Sequence, residues 1–100
     1  MKEPIMQDHI LAASIRNGDI PSFTRVYETY HAYLFRFALR FLRSTERAEE
    51  AVHDVFLKLW ENRDGLNNES SLKCYLLKIC KSHIFHTLTR AGKEQAVLQL

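Results

Sequence analysis

An all-α fold, a compact bundle of about four helices, is what this sequence predicts, and three observations carry the prediction. Apolar residues recur at helical spacing in one long stretch after another. Only three glycines and two prolines interrupt them, which leaves few turns and short connections. At 100 residues with 46% hydrophobic content, the chain can build one domain around one modest core.

The first helix is expected from about Asp8, as its cap, to Arg16, with Asn17-Gly18 ending it. Asp19-Ile20-Pro21 opens the second, since proline is tolerated in a first turn. Its stripe is Phe23, Val26, Tyr27, Tyr30, Leu34, Phe37, Ala38 and Phe41, and core is the expected use of this aromatic bulk. Arg36, Arg40 and Arg43 form a second row at i, i+4, i+7, read as a solvated face, with contact to phosphate or an acidic partner as the alternative.

The third helix occupies residues 44–62, STERAEEAVHDVFLKLWEN. Ser44 suits the cap, and Glu46 in the first turn complements the helix dipole. Ala48, Val52, Val55 and Leu59 mark the buried stripe, with Phe56 and Trp60 on its flank. Leu57 falls on the opposite side, among Glu50, His53, Asp54 and Glu61. A leucine ringed by acids reads as a docking surface for another protein; the plain alternative is one stray exposed leucine.

NRDGLNNESS is a polar, turn-prone connection in which Gly65 and Asn67-Asn68 are able to take positive φ. Ser70 is the expected cap of the fourth helix, which should end near Ala91-Gly92. Leu72, Tyr75, Leu76 and Ile79 stripe its first half, while Leu77, Ile84, Phe85 and Leu88 add a second side. Such a helix either packs between neighbours or leaves part of its surface for a partner. The tail GKEQAVLQL is too short for a core of its own and reads as the start of a linker or a truncated element.

Charge is distributed unevenly. Residues 44–62 hold two basic and five acidic side chains, a balance of −3, whereas residues 70–94 hold five basic and one acidic, a balance of +4. An acidic helix followed by a basic one suits a protein facing two partners, the second a polyanion; the alternative is complementarity between neighbouring helices. No apolar run is long enough to span a bilayer, and the N-terminus lacks a signal-peptide core. Cys74 and Cys80, six apart on one helix, are too far separated for an unstrained disulfide, so a reducing, cytoplasmic setting is expected.

No Gly-rich phosphate loop, paired-cysteine motif or nucleophile signature occurs. Cys80, His83 and His86 are the one constellation with ligand chemistry. Their spacing sets Cys80 and His86 about 120° apart around the helix, too far to share an ion comfortably. Cys80 is therefore expected in the core, His83 partly buried with a hydrogen bond, and the domain free of metal and cofactor.

The runs FTRVYETYHAYLFRFALRFL, RAEEAVHDVFLKLWENRDGL and SSLKCYLLKICKSHIFHTLTR resemble region 2 of bacterial sigma factors, most closely the extracytoplasmic-function group, over about residues 15–92. The resemblance implies a non-enzymatic domain that binds the RNA polymerase core and recognises promoters. In that family the third helix docks on the clamp-helix coiled coil of the β′ subunit. Glu50, His53 and Asp54 occupy its acidic-glutamine-acidic cluster, His53 standing where glutamine is usual, with Leu57 and Glu61 on the same side. The segment from Leu66 to Ser71 matches the loop that takes up a flipped base of the minus-ten element, so Asn67, Asn68, Ser70 and Ser71 are its candidate DNA contacts.

The fourth helix then supplies contacts to the non-template strand through Lys73, Lys78 and Lys81. Tyr75 stands where tryptophan is common and Ser82 where asparagine is usual. The resemblance also leaves a place for an anti-sigma factor among the partners. Residues 1–92 are then the helical domain and 93–100 the start of a linker towards an absent region 4. Two other classes stand against this reading: a helical protein-interaction module without DNA binding, and a metal-dependent helical enzyme.

Overall fold

Four helices make up most of the described chain: α1 (Pro4–Arg16), α2 (Ile20–Leu42), α3 (Thr45–Glu61) and α4 (Leu72–Arg90), with a 3-10 turn at Arg63–Gly65. This computed structural model describes residues 4–66 and 71–90, with side chains from Asp8 onward. The described residues contain no strand, and the fold is the all-α bundle that the spacing predicts.

Local chemistry sets the breaks. Gly18, at φ +84°, ends α1 in a left-handed conformation that only glycine takes without cost. The Asp19 side chain accepts the Ser22 N–H at 3.0 Å, and Pro21 sits in the first turn of α2, where its missing donor is harmless. Arg43 closes α2 at φ 56°, giving its N–H to the Leu39 carbonyl at 2.9 Å. Ser44 follows at once, its hydroxyl accepting the Arg47 N–H at 3.2 Å. So short a link folds α3 back antiparallel to α2, and the start of α2 meets the end of α3: Phe23 lies edge-on to Trp60 at 5.1 Å between ring centroids.

The interior is aliphatic. Ile15, Val26, Leu34, Ala38, Val52, Val55, Leu59, Leu76, Cys80 and Ile84 are all but closed to solvent. The aromatic stripe expected at the centre lies largely around it, with Phe23, Tyr27, Tyr30, Phe37 and Phe41 half-buried. A four-helix interior of this size is filled by Val, Leu and Ala, and tyrosine keeps its hydroxyl within reach of water or a partner. Phe56 departs the other way. It is buried against Phe23 and Tyr27 (centroids 6.3 and 4.7 Å), because the α2 aromatics close over that flank of α3.

Three expectations are corrected. The first helix starts at Pro4, and Asp8, expected as its cap, lies inside it, buried to 3% exposure. The Asp8 carboxylate caps another helix, accepting the Leu72 N–H at the start of α4 at 2.8 Å and the Tyr30 hydroxyl at 3.4 Å. Gly65 does not use positive φ; its N–H closes the 3-10 turn on the Asn62 carbonyl at 2.9 Å. In α4 the buried residues are Leu72, Leu76, Cys80, Ile84 and Leu88, a single stripe at four-residue intervals. Each step advances about 40°, so the stripe winds around the helix as α4 crosses between α2 and α3. The two apolar sides legible in the sequence are largely one winding stripe. Ser70 and the Ala91-Gly92 end of the helix lie outside the described residues.

Candidate functional site

The outward face of α3 is built by its own periodicity. Glu50, His53, Leu57 and Glu61 are exposed and Asp54 is half-exposed, all on the side away from Val52, Val55 and Leu59. Leu57 keeps 52% of its surface open, an apolar centre within a carboxylate field. Towards α2 this face runs into a cleft of about 500 Å³ lined by Tyr27, His31, Glu46, Glu49, Glu50 and His53. Towards α4, Asp54 Oδ2 lies 3.3 Å from His83 Nδ1.

His83 is largely buried, and burial pushes its pKa below the ordinary 6.5. The Asp54 charge pulls it back up, Lys58 and Arg90 push it further down, and Glu50 opposes them weakly. A ring held below 6.5 is predominantly neutral at pH 7, so the 3.3 Å approach to Asp54 is a polar contact of a mostly neutral imidazole and not a full ion pair. Asp54 is thereby oriented by α4 as well as by its own helix. The partial burial of His83 read from the sequence is found, with the Asp54 carboxylate as its polar neighbour.

The second surface belongs to α4. Lys78, Lys81 and Ser82 are exposed with Phe85, which leaves 46% of its surface open, and Tyr75 is half-buried beside them. Lys73 is not part of this group. It lies about 140° around the helix from Lys78, and its ammonium rests 4.5 Å above the centre of the Tyr33 ring of α2. Ser71 spends its hydroxyl on the helix, accepting the Cys74 N–H at 3.1 Å, so the cap falls on Ser71. Asn67, Asn68 and Ser70 lie outside the described residues.

The chain entering and leaving that segment is held from α1. Arg16 Nη1 donates to the Leu66 carbonyl at 2.8 Å, and Leu66 is buried. On the far side the Leu72 amide is taken by Asp8.

The family model described as Sigma-70 region 2 matches residues 26–94. This chain belongs to the sigma-70 region 2 family. Searches of curated proteins and of solved structures returned no match. Region 2 domains bind RNA polymerase and recognise the minus-ten promoter element, and the matched residues contain both surfaces just described. The match begins within α2, so α1, with Asp8 and Arg16, precedes it.

Several residues of this region 2 domain escape a reading by spacing. The cleft residues Tyr27 and His31 belong to a helix whose stripe suggested only core. Asp8 and Arg16 look like ordinary helix-end residues until their partners, 64 and 50 positions away, are placed beside them. The ligand types on α4 diverge: Cys80 is buried, His83 turns to Asp54 and His86 is exposed. Among the described residues, no three His, Cys, Asp or Glu side chains converge to hold a metal ion. Burial raises the Cys80 thiol to about 11, as for an inert core cysteine. No described helix is long and apolar enough to cross a membrane.

Proposed function

We propose that this domain is the promoter-melting module of a sigma factor of the extracytoplasmic-function group. The outward face of α3, through Glu50, His53, Asp54, Leu57 and Glu61, docks on the β′ clamp helices of the polymerase. The segment 66–71 takes up a base of the minus-ten element, with Asn67, Asn68, Ser70 and Ser71 as its polar contacts. Along α4, Lys78, Lys81, Ser82 and Tyr75 hold the unpaired non-template strand, while Lys73 contributes from the α2 side. The domain acts by binding and not by catalysis, in the cytoplasm, and residues 93–100 lead into a linker towards a second promoter-reading domain. An anti-sigma factor is the natural competitor for the same surfaces.

The observation that carries this reading is the exposure of Leu57 among acids on a helix whose other side is fully buried. Half a leucine left open costs solvation free energy that a protein partner recovers. The surrounding carboxylates select a basic partner and speed encounter with it. The exposed groups of α4 include lysines and an aromatic ring and no carboxylate, which suits a strand of phosphates and unstacked bases. A pull-down of RNA polymerase core by the wild-type domain and by Leu57→Asp tests it. Core should be retained by the first and lost by the second, with the helical circular dichroism unchanged. Equal retention removes α3 as the docking face.

A further inference from the structure

We infer that α1 is a brace for promoter recognition, in which Asp8 and Arg16 are positioning residues that fix the two ends of the DNA-reading segment. The inference rests on the reading of segment 66–71 given above.

The geometry is a pair of long-range anchors from one helix. Arg16 binds the carbonyl of Leu66, where the chain enters the segment, at 2.8 Å. Asp8, two turns earlier and so about 12 Å away along α1, binds the amide of Leu72, where the chain leaves it, at 2.8 Å. Asp8 is the one buried charged side chain of the described residues. A carboxylate is costly to bury unless its oxygens are occupied, and both are: Oδ2 by the Leu72 amide, Oδ1 by the Tyr30 hydroxyl. Burial and the neighbouring Asp8 raise the Tyr30 pKa, so that hydroxyl keeps the proton it donates.

An ordinary cap does not account for this arrangement. The N-terminus of α4 already has one, since Ser71 accepts the Cys74 N–H. The Leu72 amide is satisfied instead by a residue from the far end of the domain. Its negative charge also favours the positive end of the α4 dipole, the end where DNA is read. Holding both ends of a recognition segment lowers the ordering cost when a base is captured and keeps the contact geometry within tolerance. Neither Asp8 nor Arg16 falls within residues 26–94, so the brace is added by the part of this chain preceding the family match.

The test uses the full chain assembled with polymerase core and a single-stranded DNA pool randomised at the base position captured. Retained DNA is sequenced for base preference, and total retention and core affinity are measured alongside. Asp8→Ala and Arg16→Met should each flatten the base preference by about threefold to tenfold, the worth of one hydrogen bond. Core affinity and total DNA retention should hold, which loss of structure would not allow. Asp8→Asn keeps an acceptor for the Leu72 amide and should restore most of the preference. Amide exchange at Leu72 should quicken in Asp8→Ala and return in Asp8→Asn.

The control Asn68→Ala separates the two claims. If it flattens the preference while Asp8→Ala and Arg16→Met leave it intact, the brace is wrong and the segment reading stands. If Asn68→Ala and both brace variants leave preference unchanged, the segment reads no base, and both claims fall. Should Asp8→Ala not fold, Arg16→Met alone decides: an intact preference there overturns the brace.

Discussion

Trimming Leu57 to alanine separates the docking face of this domain from its core. Full burial of a leucine side chain is worth about 1.5–3 kcal/mol. Leu57 has 52% of its surface open, so a partner that covers it can gain roughly half of that. The expected loss of affinity is therefore about 0.8–1.5 kcal/mol, roughly fourfold to twelvefold in Kd. Fold stability should fall by less than about 1 kcal/mol, because little of the bundle is uncovered.

Two positions further along, Leu59 is closed to solvent, and Leu59→Ala should cost about 2–5 kcal/mol of stability. Leu57→Asp goes further than alanine in binding, since the partner then covers a carboxylate, stripping its hydration where an apolar contact was made. Within α3 it adds a like charge near Asp54 and Glu61, a penalty of only a few tenths of a kcal/mol, about 0.2–0.5 per pair. Urea denaturation gives the stabilities, and fluorescence anisotropy with a labelled β′ coiled-coil fragment gives the affinities. The reasoning fails if Leu57→Ala destabilises the domain as much as Leu59→Ala, or if Leu57→Ala and Leu57→Asp bind like the wild type.

Lys78→Ala and Lys81→Ala should weaken binding of single-stranded DNA alike for all sequences and lower the salt slope by about one counterion each, 0.7 in log–log units; a salt titration in assembled polymerase checks this, and an unchanged slope removes that lysine from the interface. Burial holds the folded pKa of His83 below its unfolded value of 6.5, so its contribution to stability is complete above that pH and is lost as the pH falls through the folded value. Asp54→Asn removes the charge that partly offsets burial and should deepen the acid loss, whereas His83→Gln should shrink it; urea midpoints near pH 7.5 and near pH 5.5 decide, and parallel losses in all three proteins count against the pair. Cys74 is exposed and Cys80 buried with its pKa raised to about 11, so a thiol reagent at mild alkaline pH should label one cysteine in the native domain and both after denaturation; rapid double labelling of the folded state contradicts the packing of α4.

The four helices, their breaks at Gly18 and Ser44, the buried stripe of α3 and the exposure of Leu57 are all legible in the sequence. Each depends on residues no more than about four positions apart, which the 3.6-residue repeat and capping chemistry place without knowledge of any other helix. The sigma-type division into an acidic α3 face and a basic α4 is legible for the same reason, since charge counts along one helix survive folding. Tertiary structure decided what requires two helices at once. Asp8 looked like the cap of its own helix and serves another, because a buried carboxylate goes where an unpaired amide is brought to it. Lys73 finds the Tyr33 ring because α4 leans on α2 at that end. The winding stripe of α4, the cleft beside His53 and the contact of His83 with Asp54 likewise follow from the angle at which the helices cross, and that angle is set by side-chain packing across the bundle, beyond the reach of any local repeat.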